Sequence, residues 1–133
     1  MGTVSEIRFS LHTPKGVDEA AQAVDSALAA RKFSVLWALD VNDKLQEKGL
    51  PLHGQFRILE VCSAPRAKQA LETNPFVSYF LPCKVVVHDA DGGTEIGFPR
   101  PTALIGLVGD SRLADLAREV EQVLLEAVRE AAG

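Results

Sequence analysis

The sequence predicts an α+β protein with a mainly antiparallel sheet and the element order β-α-β-β-β-β-α. Four strand-like segments follow one helix with only short helical segments between them, a tight-turn motif joins the last two strands, and a long amphipathic helix comes last. A chain of 133 residues has the usual size of one domain and can bury a core without metals or disulfides. We therefore expect residues 1–133 to form a single domain.

The first strand is predicted at residues 7–11, where apolar and polar side chains alternate. Pro14 and Gly16 end it. Residues 17–28 then place apolar side chains at helical spacing, and acids in the first turn suit the positive end of the helix dipole. This segment is predicted to form an amphipathic helix.

The next two predicted strands have apolar residues on both faces. Residues 33–41, FSVLWALDV, predict the second strand, and residues 55–62, QFRILEVC, predict the third. Between them, Asn42 and Asp43 can cap a short helix that Gly49 ends in the left-handed conformation.

Two helical segments and a hairpin follow. Residues 64–73 are predicted to be helical, and the Asn-Pro pair at 74–75 begins a second short helical turn, so the two segments can form an out-and-back hairpin. The sequence ADGG then predicts a tight turn between strands at 83–89 and 94–99.

The last part of the chain contains the clearest helix. Periodicity does not assign residues 102–109 to strand or helix. From Ser111 onward an apolar stripe is opposed by charged residues, and Asp110 or Ser111 caps the helix. About 20 residues would extend about 30 Å, enough to cross a sheet.

The central strands carry more apolar surface than two helices on one face can cover. Short helices can bury part of it, and a second copy of the chain is a natural candidate for the rest. We therefore expect a homodimer. The residues that indicate this second apolar surface are Leu36, Ala38, Leu59, Val61 and Val86.

Composition excludes several classes of partner. The 14 basic and 18 acidic side chains give a net charge of −4 without a basic cluster, which disfavours nucleic acid and membrane surfaces. The first ten residues contain no signal-peptide pattern, and apolar windows such as residues 103–108 are far shorter than the ~20 residues of a membrane helix. We expect a cytoplasmic protein whose two cysteines are reduced thiols.

The two cysteines are the first candidate site. Cys62, next to Ser63, lies where the third strand ends and a helix begins, a place where amide groups lower a thiol pKa, and Cys83 opens the fourth strand in LPCKVVV. Antiparallel strands would bring both thiols to one end of the sheet, whereas a parallel crossover would separate them. The out-and-back helices favour proximity. The simpler interpretation, which we favour, is that both are small buried apolar residues.

A ligand pocket is the second candidate site. Trp37 and Tyr79 are the sole residues of their types, and either could line a pocket together with Pro82, although core packing is favoured for Trp37. We expect no metal site, because the chain has no CxxC motif and its histidines have no helpful spacing. No cofactor and no Ser-His-Asp order are indicated.

The stretch CSAPRAKQALETNPFVSYFLPCKVVV, residues 62–87, resembles the signature segment of the domain of unknown function 302 family. Members carry Cys-Asn-Pro, an alanine-leucine helix, a second proline, and Leu-Pro-Cys before a valine-rich strand. Serine replaces the asparagine here, at Ser63, and the first proline comes one position late. The resemblance extends over about residues 5–130 and implies a TATA-binding-protein-like fold in a protein that tends to dimerise. It implies no biochemical activity.

Two functional hypotheses follow. The first is a non-enzymatic homodimeric module that binds a small molecule or a partner on its sheet. The second is a cysteine-pair site for thiol redox, sulfur transfer or soft-metal handling, in which Cys62 attacks or binds and Cys83 resolves.

Overall fold

The computed structural model describes residues 2–133. Its strands are β1 (Gly2–Val4), β2 (Arg8–Thr13), β3 (Ser34–Asp40), β4 (Phe56–Cys62), β5 (Cys83–Ala90) and β6 (Gly93–Pro99). Its α-helices are α1 (Val17–Ala29), α2 (Val41–Glu47), α3 (Ala64–Thr73), α4 (Pro101–Gly106) and α5 (Ala114–Ala132). Two 3₁₀ segments, Pro75–Phe80 and Ser111–Leu113, precede β5 and α5.

The described strands form one antiparallel sheet in the order β1-β2-β6-β5-β4-β3. The predicted α+β class and the order β-α-β-β-β-β-α are confirmed, with β1 as an additional short strand before the first predicted one. Every sequential strand pair between β3 and β6 is antiparallel, which is possible because the intervening helices are short out-and-back excursions.

The core lies between one face of the sheet and the two long helices. Helices α1 and α5 pack against each other and against this face, and each presents an apolar stripe to it. Inward residues of the central strands are fully buried, and the largest apolar side chains exposed by less than 2% are Leu28, Ile96, Leu113, Leu124, Val24, Val61, Val77, Val85, Val87 and Val128. We call the opposite side of the sheet the open face.

A bulge in β3 changes which residues reach the open face. Val35 pairs with Val61 and Trp37 pairs with Glu60, so β3 has one extra residue, Leu36, between two consecutive pairs. A regular strand would place Val35 and Trp37 on the same face, but the bulge places them on opposite faces. Trp37 is 54% exposed, and the expectation that it packs in the core is wrong.

The same geometry corrects the expected second apolar surface. Leu59 and Val61 lie on the helix face and are buried, and Ala38, which pairs with Leu59, lies on the same side. Leu36 and Val86 therefore remain on the open face. Trp37 joins them there through the bulge, so the apolar residues available to a partner differ from those that the sequence pattern indicated.

The local signals in the middle of the chain are largely confirmed. Gly49 has φ of 72° after α2, as the predicted left-handed stop requires. The cap of α2 is Asp40, whose carboxylate accepts from Asp43 N at 3.1 Å, so the helix begins earlier than the sequence indicated. Asn42, expected as a cap, instead accepts from Phe56 N at 2.8 Å and fastens the loop before β4.

The other predicted segments are present, the helix at residues 64–73 with the predicted bounds and the rest with small shifts. Asn74 caps the 3₁₀ helix by accepting from Phe76 N at 2.9 Å, and the β5–β6 hairpin turns at Gly92. The ambiguous segment 102–109 contains most of α4. The final helix is 19 residues long and starts at Ala114, after a 3₁₀ turn capped by Asp110.

Candidate functional site

A cavity of about 530 Å³ lies at the end of the sheet where β4 and β6 finish and β3 and β5 begin. Its floor is the open face of β3, β4 and β5, and its walls come from α4, the Pro75–Phe80 helix and the segment that leads into β5. Aliphatic, aromatic and proline side chains dominate the lining. Its lining residues include Leu36, Phe80, Leu81, Pro99, Leu104 and Ile105.

The local sequence explains why these walls stand beside the sheet. Arg100 N donates to Ile7 O at 2.6 Å, and Pro101 begins α4 directly after β6. Glu121 on α5 accepts from Thr102 N at 3.0 Å and from Thr102 Oγ1 at 2.7 Å, which satisfies free donors of the first turn of α4. A carboxylate on the core helix thus holds the helix that lines the cavity.

An ion pair is the main polar feature of the cavity. Glu60 of β4 and Lys84 of β5 are directly opposite each other, and Lys84 Nζ donates to Glu60 Oε1 at 3.0 Å. The Glu60 side chain is 17% exposed. Its second oxygen, Oε2, is buried and has no hydrogen-bond partner.

The three ligand-lining candidates of the sequence, Trp37, Tyr79 and Pro82, all line this one cavity. Trp37 is directly opposite Glu60 on the open face, whereas Tyr79 is 81% exposed at the rim. The peptide bond between Leu81 and Pro82 is cis. Sequence reasoning missed Glu60 and Lys84, because opposite charges on neighbouring strands become a pair only once the strand register is known.

The structure does not bring the two thiols together. Strands β4 and β5 are antiparallel, so Cys62 and Cys83 lie at the same end of the sheet, as expected. Cys83, however, pairs with Val61, and Cys62 is the next residue. Successive residues of a strand point to opposite faces, so the two side chains diverge and the expected proximity is wrong. Ser63 is buried at the start of α3 and its side chain makes no capping bond.

The surroundings of the thiols favour the protonated form. Burial raises the pKa of Cys62, although the sequence position at a helix start indicated a lowered value. Burial, with smaller contributions from the charges of Cys62 and Glu60, raises the pKa of Cys83 to about 11. Cys83 packs against the core as a small apolar residue would.

Two features are absent from residues 2–133. No group of three or more His, Cys, Asp or Glu side chains in this range is arranged to hold a metal ion. None of the helices in the same range combines the length and the apolar character needed to cross a membrane.

Together these features define an α+β protein with an antiparallel sheet, two long helices on one face and a mainly apolar cavity on the other. The chain belongs to the family described as domain of unknown function DUF302, whose model matches residues 9–131. It is 37% identical to an uncharacterised conserved DUF302 protein from Bacillus stearothermophilus, whose crystal structure aligns with a TM-score of 0.89 over 93% of this chain and 97% of that one. No curated protein matches the chain significantly.

Proposed function

We propose that the protein is a non-enzymatic binding module and that the cavity beside Trp37 holds a small, mainly apolar molecule. The cavity itself is the observation that supports this function. Its volume of about 530 Å³ falls in the range of small-molecule sites, roughly 300–1,000 Å³. Such sites combine apolar and aromatic walls with a few polar groups, and here Glu60 and Lys84 are the polar groups.

Tryptophan fluorescence tests this proposal directly. Trp37 is the only tryptophan in the sequence and it lines the cavity, so its emission reports on this site. Titration with alkylbenzenes and alkanols of increasing length is expected to give saturable blue shifts. Absence of a saturable shift with every probe would contradict the proposal.

A pair of variants localises the binding. Leu104 lines the cavity, whereas Leu107, at the end of the same helix, is exposed outside it. Leu104→Arg is expected to place a charge in the apolar lining and to abolish the shift, while Leu107→Arg leaves the probe affinity unchanged. Equal effects of both variants would place the probe elsewhere.

We also propose that the protein acts as a homodimer through β3 and the adjoining open face. β3 is an edge strand whose outer backbone groups have no strand partner among the described residues, and it carries the exposed side chains of Leu36 and Trp37. A second copy placed against this edge would pair the backbone groups and cover the apolar side chains. It would also cover the mouth of the cavity.

Light scattering after size exclusion tests the dimer. Leu36 is 60% exposed beside the edge, and Leu36→Lys is expected to shift the mass toward that of one chain. Leu71→Lys is the matched control, because Leu71 is an exposed leucine on α3. A wild-type mass of one chain at all protein concentrations would refute the dimer.

The proposed location is the cytoplasm. Both cysteines are free, and free thiols persist in reducing compartments. Cell fractionation with an antibody to the chain tests this location, and recovery in an exported fraction would contradict it.

A further inference from the structure

We infer that the ligand of this cavity carries a hydrogen-bond donor, an ammonium or hydroxyl group, that binds the carboxylate of Glu60. This inference rests on the proposed binding function and adds the chemical class of the ligand. It predicts a molecule with an apolar or aromatic body and one donor at its end.

One oxygen of the Glu60 carboxylate accepts no hydrogen bond. A carboxylate offers about four acceptor positions, and only Oε1 of Glu60 is used, by Lys84 Nζ at 3.0 Å. Buried polar atoms are normally hydrogen-bonded, so a buried, unpartnered oxygen on a carboxylate that lines the cavity indicates a missing donor. The terminal torsion of glutamate is broad, so a small rotation brings Oε2 to an entering ligand.

Other partly buried acids of the described chain do not share this property. On the same open face, Glu95 Oε2 lies 3.0 Å from His88 Nε2. On α5, both oxygens of Glu121 accept hydrogen bonds, from Arg100 and Thr102. Glu60 therefore differs from these acids in two ways, because it lines the cavity and because one of its oxygens is buried without a hydrogen-bond partner.

The neighbours of Glu60 favour a donor over an anionic group. An anionic ligand would meet the charge of Glu60, and Lys84, the nearest cation, already bonds to Glu60. Trp37 is directly opposite Glu60 on the same face, so the two side chains are cross-strand neighbours. A cation is stabilised over an indole face, so an ammonium group gains from both neighbours.

Three probes of nearly equal size separate donor recognition from apolar burial. They are 2-phenylethylamine, 2-phenylethanol and propylbenzene, which end in an ammonium, a hydroxyl and a methyl group. Affinities are measured from Trp37 emission for the wild type and for Glu60→Gln. In the variant the amide oxygen accepts from Lys84, because the flipped amide would point its NH₂ donor at the ammonium donor of Lys84. The NH₂ group therefore takes the position of Oε2.

Glu60→Gln is expected to weaken 2-phenylethylamine about tenfold, which corresponds to about 1.4 kcal/mol, and to leave propylbenzene within about twofold. Acetophenone, which only accepts hydrogen bonds, is expected to bind more tightly to the variant than to the wild type. Glu95→Gln is the matched control, since Glu95 also contacts a residue of the neighbouring strand on the open face, at His88 Nε2, but does not line the cavity. It is expected to change none of these affinities.

The outcomes distinguish this inference from the binding function. If no probe binds the wild type, the binding function and the inference both fail. If propylbenzene saturates the site and Glu60→Gln leaves the amine unchanged, the cavity binds ligands but the donor inference is overturned. Comparable losses for the amine and the alcohol support a donor of either type, and loss for the amine alone supports an ammonium.

A measurement on the unmodified protein covers the case in which Glu60→Gln fails to fold. In the complex with 2-phenylethylamine, an NMR contact is expected between the methylene group beside the nitrogen and the Glu60 side chain. A contact of Glu60 with the phenyl ring instead would overturn the inference.

Discussion

The low reactivity of the cysteines is the prediction that the structure specifies most closely. Cys62→Ser and Cys83→Ser each leave one thiol, whose alkylation by iodoacetamide can be followed by mass spectrometry. Burial raises the pKa of Cys83 from the ordinary value of 9.0 to about 11. At pH 8 the thiolate fraction then falls from about one in ten to about one in a thousand, because each unit is a factor of ten.

Since the thiolate is the reacting species, Cys83 in the wild type, followed through its own peptide, is expected to react about 100-fold more slowly than an unperturbed thiol, and the loss of the Cys62 charge in Cys62→Ser should reduce this factor. Its rate should rise about tenfold per pH unit up to about pH 11. In denaturant both single-thiol variants should react at the same, faster rate, which controls for reagent access. Reaction of folded Cys83 at the rate of an unperturbed thiol at pH 8 would refute the reasoning.

The oxidised state provides a second readout of the same geometry. The thiols of Cys62 and Cys83 lie on opposite faces of the sheet, so mild oxidation of the wild type is expected to leave both free. Rapid formation of an internal disulfide in the folded protein would restore the cysteine-pair hypothesis.

Three further outcomes are expected from urea unfolding. Glu121→Ala removes the acceptor of Thr102 and should lower the free energy of unfolding by about 1–3 kcal/mol at pH 7. Burial raises the pKa of Glu121, but the hydrogen bonds from Thr102 and Arg100 outweigh burial and leave the pKa below its ordinary value. The difference in unfolding free energy between the wild type and Glu121→Ala should therefore shrink below about pH 4. Gly97→Val should cost about 1–3 kcal/mol or more, because a Cβ would lie 2.9 Å from Ser10 Cβ. Cys83 has a raised pKa, so the stability of the wild type relative to Cys83→Ser should fall between about pH 9 and 11. The three predictions would be contradicted, respectively, by a Glu121→Ala variant as stable as the wild type, by a Gly97→Val variant as stable as the wild type, and by a stability difference between the wild type and Cys83→Ser that does not change with pH.

Local patterns identified most elements of the fold. Alternation indicated the first long strand, helical spacing indicated α1 and α5, and the left-handed stop at Gly49 and the turn at Gly92 are where the local signals placed them. These signals depend on residues within a few positions of one another, and the structure preserves them. The short strand β1 was missed because three exposed residues carry no burial pattern.

Predictions that required long-range information fared less well. The bulge at Leu36 cannot be read from alternation in β3, because it depends on how β3 pairs with β4. It moved Trp37 from an expected core position to the cavity. The expected proximity of Cys62 and Cys83 failed for a related reason, since a register difference of one residue sends a side chain to the other face.

The sequence by itself determined the class of fold, the antiparallel return of the chain between its two cysteines and most of the turns, because these follow from contacts between nearby residues. Only the tertiary structure decided which face each strand residue occupies, and so which side chains meet. Glu60 and Lys84 are separated along the chain by two helical segments, and they become partners because β4 and β5 pair in one register. The candidate site is therefore a product of strand register, a property that no short segment of the sequence contains.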